Sequence, residues 1–206
     1  MGRLLVLGAG GHGRVVADSA GRMGGWGCIA FLDDGGGKGV IGRCDDLAQL
    51  MQEGDACVVA IGDNARRMEM LTKVEDLGVP VATVVDPSAA VSDGAVLGSG
   101  TVVLPRAAVN TGATLGSGCI VNTGATVDHD CVLRDCVHVS PGAHLGGDVT
   151  VGEGTWIGLG ASIRHGIRIG DRAMIGAGAA VVSDVASDAT VVGVPARPIA
   201  KKDGAP

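Results

Sequence analysis

The chain has 206 residues, a formal net charge of −6, 37 glycines and, as its only Trp, Tyr or Phe residues, Trp26, Trp156 and Phe31. The negative balance argues against a broad electrostatic grip on nucleic acid, and no apolar run reaches the ~18 residues of a membrane-spanning helix. So few aromatics leave a core of Val, Leu, Ile and Ala with many tight turns, a mix suited to repetitive β structure.

The opening "MGRLLVLGAGGHG" has no small-residue cleavage site and reads as a buried strand over residues 3 to 7, not as a secretory leader. A continuous apolar run is what a parallel strand covered on both faces requires. Gly8, Gly10 and Gly13 follow with G-x-G-x-x-G spacing, and Val15, Val16 and Ser19 open a helical face. A second strand, "CIAFLDD", ends in Asp33 and Asp34, about 20 residues past the turn, where a dinucleotide-binding unit places its acid for a ribose hydroxyl. "ACVVAIGDN" is a third strand. Asn64 is placed to cap the helix "ARRMEMLTKVEDLG", with Met68, Leu71, Val74 and Leu77 on one side. "VPVATVVDP" is a fourth strand, and Asp86-Pro87 marks the hand-over to a second domain.

Backbone amides in the glycine turn and at the following helix N-terminus suit a phosphate or diphosphate. A full dinucleotide site needs two mononucleotide halves, and residues 1 to 86 supply one. A nucleoside diphosphate carrying a sugar therefore fits better than a nicotinamide dinucleotide. The plain structural alternative is that the glycines only close a tight strand–helix turn.

From Val91 onward every sixth position, sixteen in all up to Val181, is Val, Leu or Ile. A helical period would drift out of phase within two turns. Short strands separated by glycine corners satisfy the pattern: three units close a triangular coil, and residues 18 apart stack at one strand spacing of ~4.8 Å. The expected architecture is an α/β Rossmann-like domain over 1–86, then an all-β hexapeptide-repeat parallel β-helix with a C-terminal tail over 87–206. The repeat proper runs from 91 to about 185, roughly five coils. The six cysteines lack CxxC spacing and read as reduced, core-filling thiols.

Within the repeat lies "VNTGATVDHDCVLRDCVHVS". His129 follows the inward Val127 by two residues, which puts it on the surface. Adjacent strand residues point oppositely, so it can cooperate with Asp130 only if a corner lies between them.

The tail motif "GVPAR" is similar to the ending of hexapeptide acyltransferases, and the combination of "GAGGHG", "FLDD", "IGDN" and "HD" in mid-repeat resembles the nucleotide-amino-sugar N-acetyltransferases of bacterial surface-glycan biosynthesis. These include the UDP-N-acetylbacillosamine and GDP-perosamine pathway enzymes, and the sialic-acid O-acetyltransferases share the plan. The resemblance implies left-handed winding, a cytoplasmic homotrimer of prisms, acetyl-CoA as cosubstrate and no metal. It also implies N-acetylation of a UDP- or GDP-linked 4-amino-deoxysugar. Carried onto matching positions, His129 is the general base and Asp130 the adjacent acid, where many relatives have glutamate. Asn122 lies close to the active site and His138 contacts acetyl-CoA. Gly147, Leu159 and Ala177 line the coenzyme slot with their backbone, Ala177 replacing an expected glycine. Gly10, Gly11 and His12 form the diphosphate loop, with Asp33 and Asp34 near the base or ribose.

The chemistry is consistent. An attacking amine must shed a proton, and an imidazole of pKa ~6.5 accepts it near neutrality. A neighbouring carboxylate orients the ring, and such base catalysis supplies about 10²–10⁴-fold. A backbone amide, for which Gly147 is the candidate, would stabilise the oxyanion. No activated serine or cysteine is evident, so transfer is direct. Trp156 packs at a subunit interface or beside the coenzyme. Arg164, Arg168, Arg172, Lys201 and Lys202 either meet coenzyme phosphates or are solvated, and His144 and His165 point outward. The competing readings are sugar O-acetylation, a zinc enzyme of the γ-carbonic-anhydrase type and a non-catalytic nucleotide-sugar binder. The zinc reading needs a histidine pair five apart, whereas His138 and His144 are six apart.

Overall fold

The computed structural model describes residues 1–199; Lys201 and Lys202 lie outside the described residues. The N-terminal unit comprises β1 (Arg3–Leu7), α1 (Gly11–Met23), β2 (Cys28–Leu32), β3 (Val40–Gly42), α2 (Leu47–Leu50), β4 (Ala56–Val59) and α3 (Asn64–Asp76). Its sheet runs β3-β2-β1-β4, parallel throughout. The central strand is the apolar run, and Leu4 to Leu7 are fully buried. At its start Asp55 accepts from Arg3 Nε at 3.0 Å and Nη2 at 2.6 Å, tying β1 to the loop before β4.

Several expectations change. The short edge strand β3 was not legible in the sequence. The fourth strand does not complete this sheet: Val81 makes only an isolated bridge to Cys57, and Val84–Val85 pairs with Val102–Val103. Val85 stands one hexapeptide before Val91 and packs against the β-helix core, so the six-residue period claims it. At α3, Asp63 rather than Asn64 is the cap, its Oδ1 accepting the Arg66 N–H at 2.8 Å. The apolar side of α3 is also narrower than expected, with Leu77 exposed and Arg67 fully buried; on α1, Val15 is exposed while Val16 and Ser19 are buried.

The second unit is a parallel β-helix with three faces. The first face stacks Val84–Val85, Val102–Val103, Ile120–Val121, His138–Val139, Trp156–Ile157, Met174–Ile175 and Thr190–Val192, and Arg197–Ile199 closes it antiparallel. The second runs from Ala90–Val91 to Ala180–Val181 and includes Thr126–Val127 and His144–Leu145. The third runs from Val96–Leu97 to Arg168–Ile169. Partners are 18 residues apart, as in Ile120 to His138 and Thr126 to His144, except at the last step of the first face, where Met174 pairs with Thr190.

Two residues of each hexapeptide point inward, the aliphatic plug and a second residue, often smaller, two places before it. Val121 and Cys119, Val127 and Ala125, and Val139 and Val137 are all fully buried. Each buried Val or Leu side chain is worth about 1.5–3 kcal/mol, so the column dominates the stability of this unit. Polar residues in the small slot satisfy themselves locally: Thr155 Oγ1 donates to Gly170 O at 2.7 Å, and Cys119 Sγ donates to Arg134 O at 3.1 Å. All six cysteines are free thiols.

The outward side of the first face is covered by the N-terminal unit. Leu4, Val6, Val16 and Ala20 share a core cluster with Val84, Val102, Leu104 and Ile120. Among the described residues no helix is long and apolar enough to cross a membrane.

Candidate functional site

The N-terminal pocket forms at the carboxyl edge of the parallel sheet, as open α/β sheets dictate. A cavity of about 530 Å³ is lined by Gly10, Gly11, His12, Asp33 and Asp34 on one side and by Ile61, Gly62, Arg66 and Lys73 on the other. All five residues assigned to the substrate from sequence therefore meet here. The glycines divide the work. A Cβ at Gly13 would lie 1.8 Å from Gly8 O, so only glycine lets α1 approach the strand end. Gly10 and Gly11 face open space instead, and no side chain caps Gly10, which leaves the first amides of α1 accessible to an anion.

Asp33 and Asp34 differ. Asp33 Oδ2 accepts the Ala9 N–H and Oδ1 the Gly35 N–H, each at 2.7 Å, and these two bonds lower its pKa. It fastens the glycine loop. Asp34 is exposed, with Oδ1 3.3 Å from the Cys44 N–H, and is the carboxylate open to a ligand. Arg66 and Lys73 escaped the sequence reading. Their only signal was position, on the helix that immediately follows "IGDN".

Beyond His12 lies the seam between the units. His12 and His138 have ring centroids 6.4 Å apart, and His138 stacks on Trp156 at 5.0 Å. The Trp156 indole donates to Ser140 Oγ at 2.7 Å, so this ring packs in the seam beside His138. Asn122 Oδ1 accepts the Thr123 N–H at 2.8 Å, which turns its Nδ2 toward His138 Nε2 at 3.1 Å. An amide nitrogen only donates, so Nε2 accepts and the ring proton sits on Nδ1. That Nδ1 is buried and has no hydrogen-bond partner among the described residues. Burial first, then the Arg67 charge, pushes His138 down to about 3 and His12 down to about 4. Both are neutral at physiological pH.

His129 sits at the vertex between the second and third faces. Asp130 has φ +60°, the left-handed conformation that an aspartate tolerates, and this is the corner the alternation argument demanded. His129 Nδ1 lies 2.9 Å from Asp130 Oδ2; a carboxylate only accepts, so Nδ1 carries the proton and Nε2 holds the lone pair. The Asp130 bond first, then the Asp128 charge, raises the pKa of His129. The ring covers Gly147 of the next coil, where an added Cβ would fall 2.4 Å from Nε2. The Gly147 amide is taken up by no backbone acceptor among the described residues.

The structure thus sorts the predicted residues into four groups. Gly10, Gly11, His12, Asp33 and Asp34 line the pocket. Asn122 and His138 pair at the seam. Leu159 and Ala177 are exposed and stacked along the vertex between the first and second faces, where Gly178 N–H bonds Leu159 O. His129, Asp130 and Gly147 share the one vertex that does not border the first face. Asn122 is therefore apart from His129 within one chain. His138 and His144 leave the coil on different faces and do not converge on a common point.

Residues 3–74 match the PglD N-terminal domain, and residues 148–182 match the bacterial transferase hexapeptide (six repeats). No curated protein sequence matches the chain. Among solved structures, the chain is similar to the acetyltransferase domain of PglB from Neisseria gonorrhoeae FA1090 in complex with acetyl coenzyme A. Identity is 44%, coverage 96% of this chain and 98% of that one, and the TM-score 0.93. PerB from Caulobacter crescentus, in complex with CoA and GDP-perosamine, is 36% identical over 97% of this chain and 98% of that one, with a TM-score of 0.92. WeeI from Acinetobacter baumannii AYE is 27% identical over 97% and 100%, with a TM-score of 0.87.

Proposed function

Because the chain belongs to the family of hexapeptide-repeat nucleotide-amino-sugar N-acetyltransferases, enzymes that use acetyl-CoA, we propose that it acetylates the amine of a UDP- or GDP-linked 4-amino-deoxysugar. The observation that carries this reading is the His129–Asp130 pair set over Gly147, in the same chain as a pocket built for a nucleoside diphosphate. PerB, solved with CoA and GDP-perosamine, supports the substrate class.

The chemistry follows from the tautomer. With Nδ1–H committed to Asp130, Nε2 takes the proton that the amine loses as its nitrogen bonds to the thioester carbonyl carbon. The Gly147 N–H would carry the charge developing on the carbonyl oxygen. Collapse breaks the C–S bond, and His129 returns its proton to the departing thiolate. No acyl-enzyme is required.

The base and the pocket lie on opposite sides of the prism. A sugar held at the seam therefore meets the His129 of a neighbouring copy, which favours a homotrimer with a site between chains. The second face suits close packing because its outward residues include Ala108, Thr126, Ser162 and Ala180.

A panel of UDP- and GDP-linked amino sugars with acetyl-CoA, followed by thiol release, tests the reading. Release with an amino-sugar nucleotide, lost by about 10²–10⁴-fold in His129→Ala, is the expected result. Release with free sialic acid instead would make the enzyme an O-acetyltransferase, and a wild-type rate in His129→Ala would remove the base.

A further inference from the structure

Arg67 is a fully buried cation that the mechanism above does not use. Among the described residues it forms no ion pair with a carboxylate, yet all five of its N–H groups are satisfied. Nε donates to Gly118 O at 2.8 Å, Nη1 to Ile61 O at 2.9 Å and Gly62 O at 3.2 Å, and Nη2 to Asn64 Oδ1 and Cys136 O, both at 2.8 Å. A buried charge without a counter-ion is costly, and only a complete set of hydrogen bonds offsets it. If the position merely needed filling, an aliphatic residue would fill it without that cost.

The acceptors explain the guanidinium. Ile61 and Gly62 line the nucleotide pocket, while Gly118 and Cys136 stand on successive coils at the vertex between the third and first faces. Asn64 extends the clasp to the next coil, donating to Gly154 O at 2.9 Å and Thr155 O at 3.2 Å. A planar fork of five donors joins both groups at once; an ammonium, with three donors on one atom, cannot.

We propose that Arg67 is a positioning residue for acetyl transfer, locking the Ile61–Gly62 edge of the nucleotide pocket to the β-helix so that the bound sugar's amine is held in register with the acetyl group. The proposal rests on the functional reading above. Arg67 stands behind the lining of the pocket and not in it. Displacement of the pocket by about 1 Å is enough to lower turnover 10²-fold without removing any contact to the nucleotide.

The test uses the full-length protein with Arg67→Lys and Arg67→Gln. Binding of UDP and GDP by calorimetry is expected to stay within about 3-fold of wild type, while kcat falls by about 10²-fold. Unchanged kcat, or nucleotide binding that weakens as much as kcat falls, would overturn the assignment, because the latter marks a deformed pocket and not a misplaced one. Thermal unfolding separates this from failure of the functional reading. Wild type is expected to melt in one transition and Arg67→Gln in two, the N-terminal unit first, whether or not any sugar is turned over; one shared transition in the variant would refute the lock. Should both variants fail to fold, Asn64→Ala removes one acceptor and the Gly154 and Thr155 contacts. The same split is then expected at about 10-fold in kcat, and an unchanged kcat there would refute the proposal.

Discussion

The vertex that carries His129 and the seam that carries His138 place the same side chain in opposite environments. At the vertex the imidazole is 58% exposed, flanked by Asp128 and Asp130, and its pKa is raised. At the seam it is 6% exposed, stacked on Trp156 beside Arg67, and its pKa falls to about 3. His129 comes two places after the plug Val127, at a corner, and His138 one place before the plug Val139, in a strand, so residue type does not assign the environment. Location on the prism does. A corner leaves polar groups in water, where a proton can be exchanged; a face buried under another unit holds a neutral ring with one donor fixed in direction.

Experiments can break this contrast or sharpen it. After loss of the His129 ring itself, the largest effect is expected at Gly147→Ala, where the new Cβ would collide with that ring. Thiol release should fall by about 10²-fold with an unchanged melting temperature, since the backbone there needs no left-handed conformation. Full activity would mean that the ring does not work where it lies. A smaller effect is expected from Asp33→Ala, which unfastens the Ala9 and Gly35 amides: UDP or GDP affinity should weaken by about 10-fold, with acetyl-CoA binding intact.

The smallest effect, and the most diagnostic, is in the pH profile. His129 must be neutral to act as a base, so kcat/KM should climb with pH through a midpoint above the ordinary histidine value. Asp130→Asn removes the main cause of the raised pKa and should move that midpoint down, whereas His138→Gln should leave it in place, because His138 is already neutral across the range. A midpoint that follows His138 would reverse the assignment. The sign for folding is opposite in sense. The raised pKa of His129 stabilises the protein below about pH 6.5, and that contribution disappears as pH rises through the folded-state value.

Legibility differed between the two units for a physical reason. A β-helix coil asks one question at every sixth residue, and Val103 answers it independently of Val121. The period survives any choice of surface residues, and the sequence even carried it back to Val85, one rung before the reading began. The N-terminal unit is built from single events. The G-x-G-x-x-G turn was visible because sterics permit little else at Gly13. The edge strand Val40–Gly42 and the burial of Arg67 were not, because each depends on a partner outside its own segment; the cap at Asp63 is local, and the neighbouring Asn64 offers the same capping chemistry one residue on. Arg67 shares the helical stripe of Leu71 and Val74, where a charge is not expected; the carbonyls of Ile61, Gly62, Gly118 and Cys136 together with the Asn64 side chain make its burial tolerable.

By itself the sequence determined a glycine-turned α/β unit, an aliphatic six-residue period and the chemical identity of the groups that could act. Those features follow from local sterics and from periodic burial, which need no knowledge of distant neighbours. Tertiary structure alone decided that Asp130 turns a corner to meet His129, that Asp33 serves the loop while Asp34 faces the pocket, and that His138 is neutral. Each of these depends on which groups are brought within hydrogen-bonding distance and how much water they lose, and a linear order of residues specifies neither.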